Sequence, residues 1–170
     1  MRSKRFFSIV AMTIFLGATY AVAPVAEAGS GDNPCWGYRI AEKGFARRIN
    51  SERVERNLGK LSLDPELSKA ARVHTREMVR REELYHTPSD KLRNRVTNWI
   101  VLGENVGVGG SVSSLHDAFM ASPAHRDNVL HAAYQHVGIG TKKADGRLWV
   151  TVIFEAVTDP GTTLRMPRCK

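Results

Sequence analysis

Two imidazoles and a carboxylate stand in this 170-residue chain in settings that suit chemistry better than packing. His86 follows Leu84 and Tyr85 and precedes Thr87-Pro88-Ser89-Asp90, a turn-rich stretch from which a side chain can point into a cleft. Glu104 comes directly after an apolar run over residues 99–102 and Gly103. A carboxylate placed there must be hydrated, paired with a neighbouring Arg or His, or metal-bound, because burying it alone is prohibitive. His125 lies in Ser122-Pro123-Ala124-His125, where Ser122 is the natural N-cap and Pro123 the first residue of a helical turn. The first turn of a helix disfavours the protonated imidazole, and the neutral ring is the form that coordinates metal. One shared polar cavity built from three segments accounts for these groups more simply than three coincidences. Two imidazoles and one carboxylate satisfy an open zinc site with water in the fourth position.

The elements that must position these groups can be read from periodicity. A first helix is expected over residues 42–57, with Phe45, Ile49 and Val54 inward and Gly59 as its stop. Asp64 followed by Pro65 is a cap and first turn, and Leu67, Ala70, Ala71, His74 and Met78 form one stripe down the second helix. That stripe makes His74 a core histidine satisfied by one hydrogen bond before it makes it a metal ligand. Residues 91–98 read as a loop with a short helical turn. Ser111 or Ser113 caps a third helix facing inward through Leu115, Ala118 and Phe119. Arg126 and Asn128 read as scaffold bonding nearby backbone, and surface positions are the default for His116, His131 and His136. Residues 137–141 and 148–157 flank an Asp145-Gly146 turn, which signals a hairpin. Leu148, Val150, Val152 and Phe154 share one face, and Trp149, Thr151, Ile153 and Glu155 the other. Both faces are largely apolar, so helices are expected on both sides of the sheet.

The order and spacing of these segments resemble the CAP superfamily, which unites cysteine-rich secretory proteins, insect antigen 5 and plant pathogenesis-related class one proteins. The resemblance runs from about Phe45 to Glu155. It rests on residues 49–53, Leu61-Ser62-Leu63-Asp64-Pro65-Glu66-Leu67, Ala70-Ala71, His74, Met78, His86, Gly103-Glu104-Asn105, the Ser122-Pro123-x-His125-Arg126-x-Asn128 run, and Val137-Gly138-Ile139-Gly140. The chain is similar to the bacterial secreted SCP-domain branch. The resemblance implies an α+β fold, a three-layer αβα sandwich with a small antiparallel sheet covered by helices on both faces. It also implies a cavity with two histidines and two acids, associated with divalent metal. Carried over by position, His86 and His125 match the histidines and Glu104 one acid. The second acid's place falls near Ser122, and Phe119 stands where a tryptophan is frequent. The cavity set is therefore His86, Glu104, His125 and Ser122, with His86, Glu104 and His125 as metal ligands. Loss of one acid should weaken the binding of harder cations and favour zinc.

The first 28 residues read as a secretory signal: Arg2, Lys4 and Arg5, then an apolar stretch, then Ala26-Glu27-Ala28 before Gly29. No Leu-x-x-Cys pattern precedes Cys35, and no stable membrane insertion is expected after processing. The expected organisation is a signal peptide at 1–28, a linker at 29–41, the CAP/SCP domain at 42–158 and a tail at 159–170. Cleavage removes three basic residues and Glu27, taking the formal charge from +8 to +6. Cys35 and Cys169 are expected to pair in an oxidising compartment, closing a long loop.

A basic secreted domain can meet anionic wall polymers or lipid surfaces. Nucleic acid is not expected as a partner, because no basic run is interleaved with stacking aromatics. The glycine-rich stretch 106–110 lacks a phosphate-loop lysine, and no Gly-x-Ser-x-Gly or His-Glu-x-x-His signature is present. The expected function is a secreted, non-catalytic module that binds an extracellular ligand in or beside a His/Glu cavity able to take a divalent metal. The alternatives are metal-dependent hydrolysis of peptides or cell-wall components, and lipid or sterol binding.

Overall fold

In this computed structural model the described residues are 36–157, and they form five helices and one sheet. The expected signal peptide, most of the linker, the tail and the Cys35–Cys169 pair lie outside them. In chain order the elements are α1 (Ile40–Val54), β1 (Ser62–Leu63), α2 (Pro65–Arg81), α3 (Ser89–Arg95), β2 (Trp99–Gly109), α4 (Val112–Ala121), α5 (Pro123–Leu130), β3 (His136–Ala144) and β4 (Arg147–Val157).

The sheet order is β1-β3-β4-β2. The three long strands are antiparallel, and the two-residue β1 adds one parallel pair against β3. The hairpin forms where Asp145-Gly146 is placed: both residues have positive φ, the geometry that matches the twist of the flanking strands. β4 is central and buried on both faces, which is why its sequence is almost continuously apolar. Val150, Val152 and Phe154 pack with Phe45, Ile49, Leu115, Phe119 and Val129 from α1, α4 and α5. Ile153, on the opposite face, packs with Leu67, Ala70 and Ala71 of α2 and Leu92 of α3. The result is the three-layer sandwich.

α2 follows its sequence closely. The Asp64 side chain accepts the Leu67 N–H at 2.9 Å, and Leu67, Ala70, Ala71, His74 and Met78 are all buried. The helix lies directly on β3: a Cβ on Gly140 would collide with the backbone of Ala71 and Arg72. His74 is a core residue whose Nε2–H donates to the Tyr85 carbonyl at 2.7 Å, with the two rings edge to face at 4.8 Å.

Several side chains take other positions than expected. α1 ends at Val54, which is 49% exposed, and the inward residue of that turn is Arg53. Its guanidinium donates to the carbonyls of Gly59, Val129, His131 and Tyr134, so the cation acts as a buried staple between α1 and the α5–β3 connection. The turn after α1 takes its left-handed residue at Asn57, not Gly59. Ala118 of α4 faces solvent and His116 takes the buried position, 3.6 Å from Glu52 of α1. Burial pushes the His116 imidazole down, against the pull of Glu52. His136 is buried on β3, whereas His131 is exposed.

Candidate functional site

β2 is the edge of the sheet, and the candidate site wraps around its exposed side. Glu104 pairs with Ile153 of β4, so its side chain lies on the α2 face, beside the segment that leaves α2. Its neighbour Asn105 points to the opposite face, where its amide donates to the His125 carbonyl at 2.9 Å. Asn128 of α5 donates to the Glu104 carbonyl at 3.2 Å and to Asn105 Oδ1 at 2.9 Å. Gly103 permits this approach: a Cβ there would strike the Tyr134 hydroxyl and Asn128 Oδ1. The Gly-Glu-Asn triplet thus has three separate duties: room for α5, a carboxylate on one face and an amide clamp on the other.

The Glu104 carboxylate is only 5% exposed and fully engaged. His86 Nδ1–H donates to Oε1 at 2.9 Å, the Thr87 N–H donates to Oε1 at 2.8 Å, and the Thr87 hydroxyl donates to Oε2 at 2.6 Å. Thr87 is itself buried. The His86 ring is 59% exposed, and donation from Nδ1 leaves Nε2 as the free nitrogen of the neutral ring.

His125 sits in the first turn of α5, with Ser122 at the N-cap position and Pro123 opening the helix. Its ring lies 5.1 Å from that of Phe119, which is buried at the position where the family resemblance puts a tryptophan. Burial holds the His125 imidazole below its ordinary range, and the charge of His86 adds to the effect. The expected direction is found, and its physical causes are desolvation and a neighbouring imidazole. His86 is thus near enough to His125 for its charge to weigh on that imidazole. Ser122 makes no side-chain capping bond.

Four expected cavity residues therefore come from the segments after α2, in β2 and at the start of α5. Among the described residues, no group of three or more His, Cys, Asp or Glu side chains stands in metal-holding geometry. Glu104 acts on His86 as an orienting partner, while the two imidazoles are the groups with capacity to spare. Thr87 was not expected in the site; the only local signal was its position between His86 and Pro88. Asn128 fits its scaffold reading, and Arg126 reaches the Met120 carbonyl at 3.5 Å.

A second polar cluster, unforeseen in the sequence, lies deeper on the α2 face. Glu155 of β4 and His136 of β3 are directly opposite each other, both nearly fully buried, with Asp64 at the start of α2 nearby. Among the described residues, both nitrogens of His136 and Oε1 of Glu155 lack hydrogen-bond partners. Burial, then the charges of Asp64 and Glu66, push the Glu155 carboxyl up to about 8. Burial also raises the Asp64 carboxyl.

The family model described as "CAP: Cysteine-rich secretory protein family" matches residues 46–154. The uncharacterized protein YkwD of Bacillus subtilis is 29% identical over 115 residues, covering 64% of this chain and 44% of YkwD, so the chain spans less than half of that relative. An outer surface protein from Borrelia burgdorferi superposes with a TM-score of 0.63 at 19% identity, over 68% of this chain and 92% of that one. An extracellular SCP-domain protein of Bacillus anthracis does so at 0.61 and 21% identity, over 68% and 40%. Among the described residues, no helix is long and apolar enough to cross a membrane.

Proposed function

This chain belongs to the cysteine-rich secretory protein (CAP) family, and from that premise we propose that it is a secreted, non-catalytic ligand-binding module whose His86–His125 corner takes a divalent metal, zinc by preference. The observation that carries the reading is the division of labour at Glu104. Its carboxylate is committed to His86 Nδ1 and to both donors of Thr87, which orients the His86 ring and leaves Nε2 outward. A carboxylate behind a histidine is the arrangement that fixes the tautomer of a metal-binding imidazole. His125, disfavoured as a cation by burial, supplies the second neutral ring.

Zinc there would be held by His86 and His125, with solvent completing its shell. Glu104 serves as the support of His86, a revision of its expected part as a direct ligand. Bound zinc would supply a Lewis-acidic centre for an oxygen or nitrogen donor of the ligand. The residues of the chain orient one ring, keep the other unprotonated and leave the corner open to solvent. Metal-dependent hydrolysis of peptides or wall components would need a base beside the bound water. Glu104 has both oxygens in use, so the non-catalytic reading is preferred.

Thermal denaturation with added zinc tests this. At about 100 times its dissociation constant, zinc should stabilise the protein by roughly 2.7 kcal/mol. His86→Ala and His125→Ala should each abolish the rise, and Glu104→Gln should weaken zinc affinity by about 10-fold or more. A zinc response that persists in the double histidine variant would overturn the proposal.

A second recess favours the lipid reading. Between α1 and α4 lies a groove of about 760 Å³ lined by Ile40, Gly44, Val112 and Leu148, with Arg47, Arg48 and Lys143 and, among the described residues, no acidic side chain. Ile40 is 84% exposed. An apolar trough with a basic rim suits an anionic amphiphile. Mass spectrometry of the purified protein after incubation with fatty acid would reveal uptake, and an absence of bound lipid would exclude this reading.

A further inference from the structure

At the N-terminal end of α1, where α2 and the far end of β3 meet it, the surface holds a recess of about 400 Å³. Among the described residues its lining carries four cations, Arg39, Arg76, Lys142 and Lys143, and no carboxylate. The remaining lining is small and uncharged, with Ala41, Thr141 and Leu148. Arg39 is the fixed member: its guanidinium donates to the Thr141 carbonyl across the chain and stands 3.7 Å from Glu42 Oε1. Arg76, Lys142 and Lys143 are exposed, and among the described residues none of them makes an ion pair.

Glu42 is shared between two guanidiniums, Arg39 and Arg72, and so offsets only part of this charge. It is fully buried, receives the Arg72 Nε–H at 2.8 Å on Oε1 and accepts the Arg39 backbone N–H at 2.8 Å on Oε2. Arg72 is ion-paired with that carboxylate and stacks 4.2 Å above the Trp36 ring. Burial, then Arg72, pushes the Arg39 guanidinium down; Glu42 opposes this and Arg76 adds to it. Like charges gathered around a hollow repel one another, and the arrangement becomes favourable when an anion enters.

The donor chemistry narrows the anion. Two guanidiniums offer forked N–H pairs and two ammoniums offer mobile point charges, a set that exceeds what the two oxygens and single charge of a carboxylate can use. A phosphoryl group presents three acceptor oxygens and nearly two charges. Among the described residues no aromatic side chain lines the recess, which argues against the stacking surface that single-stranded nucleic acid uses.

We propose that the recess formed by Arg39, Arg76, Lys142 and Lys143 is a binding site for a phosphoryl group, carried either by a small free anion or by the headgroup of an anionic lipid. The site is separate from the His86–His125 corner and does not depend on metal there. The recess adjoins the α1–α4 groove, sharing Ala41, Lys143 and Leu148 with it, whereas Arg76 and Lys142 line the recess alone, so replacing those two distinguishes this site from that one.

The test compares the full mature protein with Arg76→Glu/Lys142→Glu and with a charge-matched control, Lys69→Glu/Lys91→Glu, whose two sites are exposed and outside the recess. Circular dichroism checks that all three are folded. Pyrophosphate is titrated calorimetrically at low salt, and sedimentation is measured with vesicles of phosphatidylglycerol in phosphatidylcholine. The recess variant should bind at least about 10-fold more weakly, as expected from losing charge-assisted bonds. The control should stay within about twofold of wild type. Binding to both probes with this dependence identifies a free phosphate as sufficient, and binding to vesicles alone identifies the lipid headgroup. Equal losses in recess and control variants would show diffuse attraction to a basic surface and overturn the proposal. So would a wild-type protein that binds neither probe.

Discussion

Glu104 and Glu155 stand on neighbouring strands and on the same face of the sheet, Glu104 opposite Ile153 and Glu155 opposite Leu102. Both are almost fully enclosed. Glu104 lies on the edge strand and has three donors, from His86 and Thr87. Glu155 lies on the central strand, and its Oε1 has no partner among the described residues. Its carboxyl is pushed up to about 8 by burial and then by Asp64 and Glu66, so it keeps its proton at neutral pH. The difference shows that depth alone does not decide what a buried acid does. At the edge, a departing loop can bring backbone and hydroxyl donors to the carboxylate. In the middle of the sheet every backbone N–H is taken up by the ladder, and the acid escapes the cost of charge burial by staying neutral.

The largest effect expected from breaking this contrast is a pH dependence. An unfolded chain releases the Glu155 proton near 4.5, whereas the fold releases it near 8. Between those values the folded protein holds a proton that the unfolded chain has lost. Stability from this group is therefore complete below about 4.5 and declines as pH rises to 8. At about 1.4 kcal/mol per pH unit, the ceiling on that decline is about 5 kcal/mol. Glu155→Gln keeps the shape and removes the titration. Urea denaturation at pH 5 and pH 8 should show a steep loss in the wild type and a much smaller one in the variant. Equal losses would mean that Glu155 is not held protonated.

What the sequence revealed and what it hid follows the range of each interaction. α2 was legible because its Asp-Pro cap and its stripe from Leu67 to Met78 are local. The hairpin was legible because Asp-Gly encodes its own backbone geometry. The helices were harder at their ends: Val54 and Arg53 are adjacent, and the carbonyls of Val129, His131 and Tyr134, all from a distant segment, turn Arg53 inward. Residues 106–110 are rich in glycine, yet 106–109 continue β2, because Leu115 and Phe119 pack closely over Gly107 and Gly109. At the site, His86, Glu104 and His125 could be named from residue type and setting. The buried role of Thr87 could not, since a threonine beside a proline reads as turn chemistry until a carboxylate from 17 residues away reaches it. The His136–Glu155 pair depends on strand register, which no local pattern states.

On the Glu104 side, Glu104→Ala should cost about 2–3 kcal/mol at neutral pH. It strands the Thr87 N–H and hydroxyl in a buried setting, and an unsatisfied buried donor costs about 1–3 kcal/mol. The His86 ring, exposed to water, can replace its lost partner with solvent and adds little. Chemical denaturation measures the loss. A change below about 0.5 kcal/mol would place Glu104 among ordinary surface residues and remove the contrast with Glu155.

The smallest effect isolates one bond. Thr87→Val preserves side-chain shape and removes only the hydroxyl that reaches Glu104 Oε2 at 2.6 Å. The carboxylate retains two donors, so the expected cost is about 1 kcal/mol, near the usual net value of one buried hydrogen bond. The double variant with Glu104→Ala sharpens the measurement. If the hydroxyl stabilises the fold through this carboxylate, Thr87→Val should cost nothing further once Glu104 is gone, because the stranded hydroxyl is removed with it. A coupling of about 1 kcal/mol is then expected between the two positions. Additive losses would mean that Thr87 acts through packing, and that the brace behind His86 consists of the backbone donor alone.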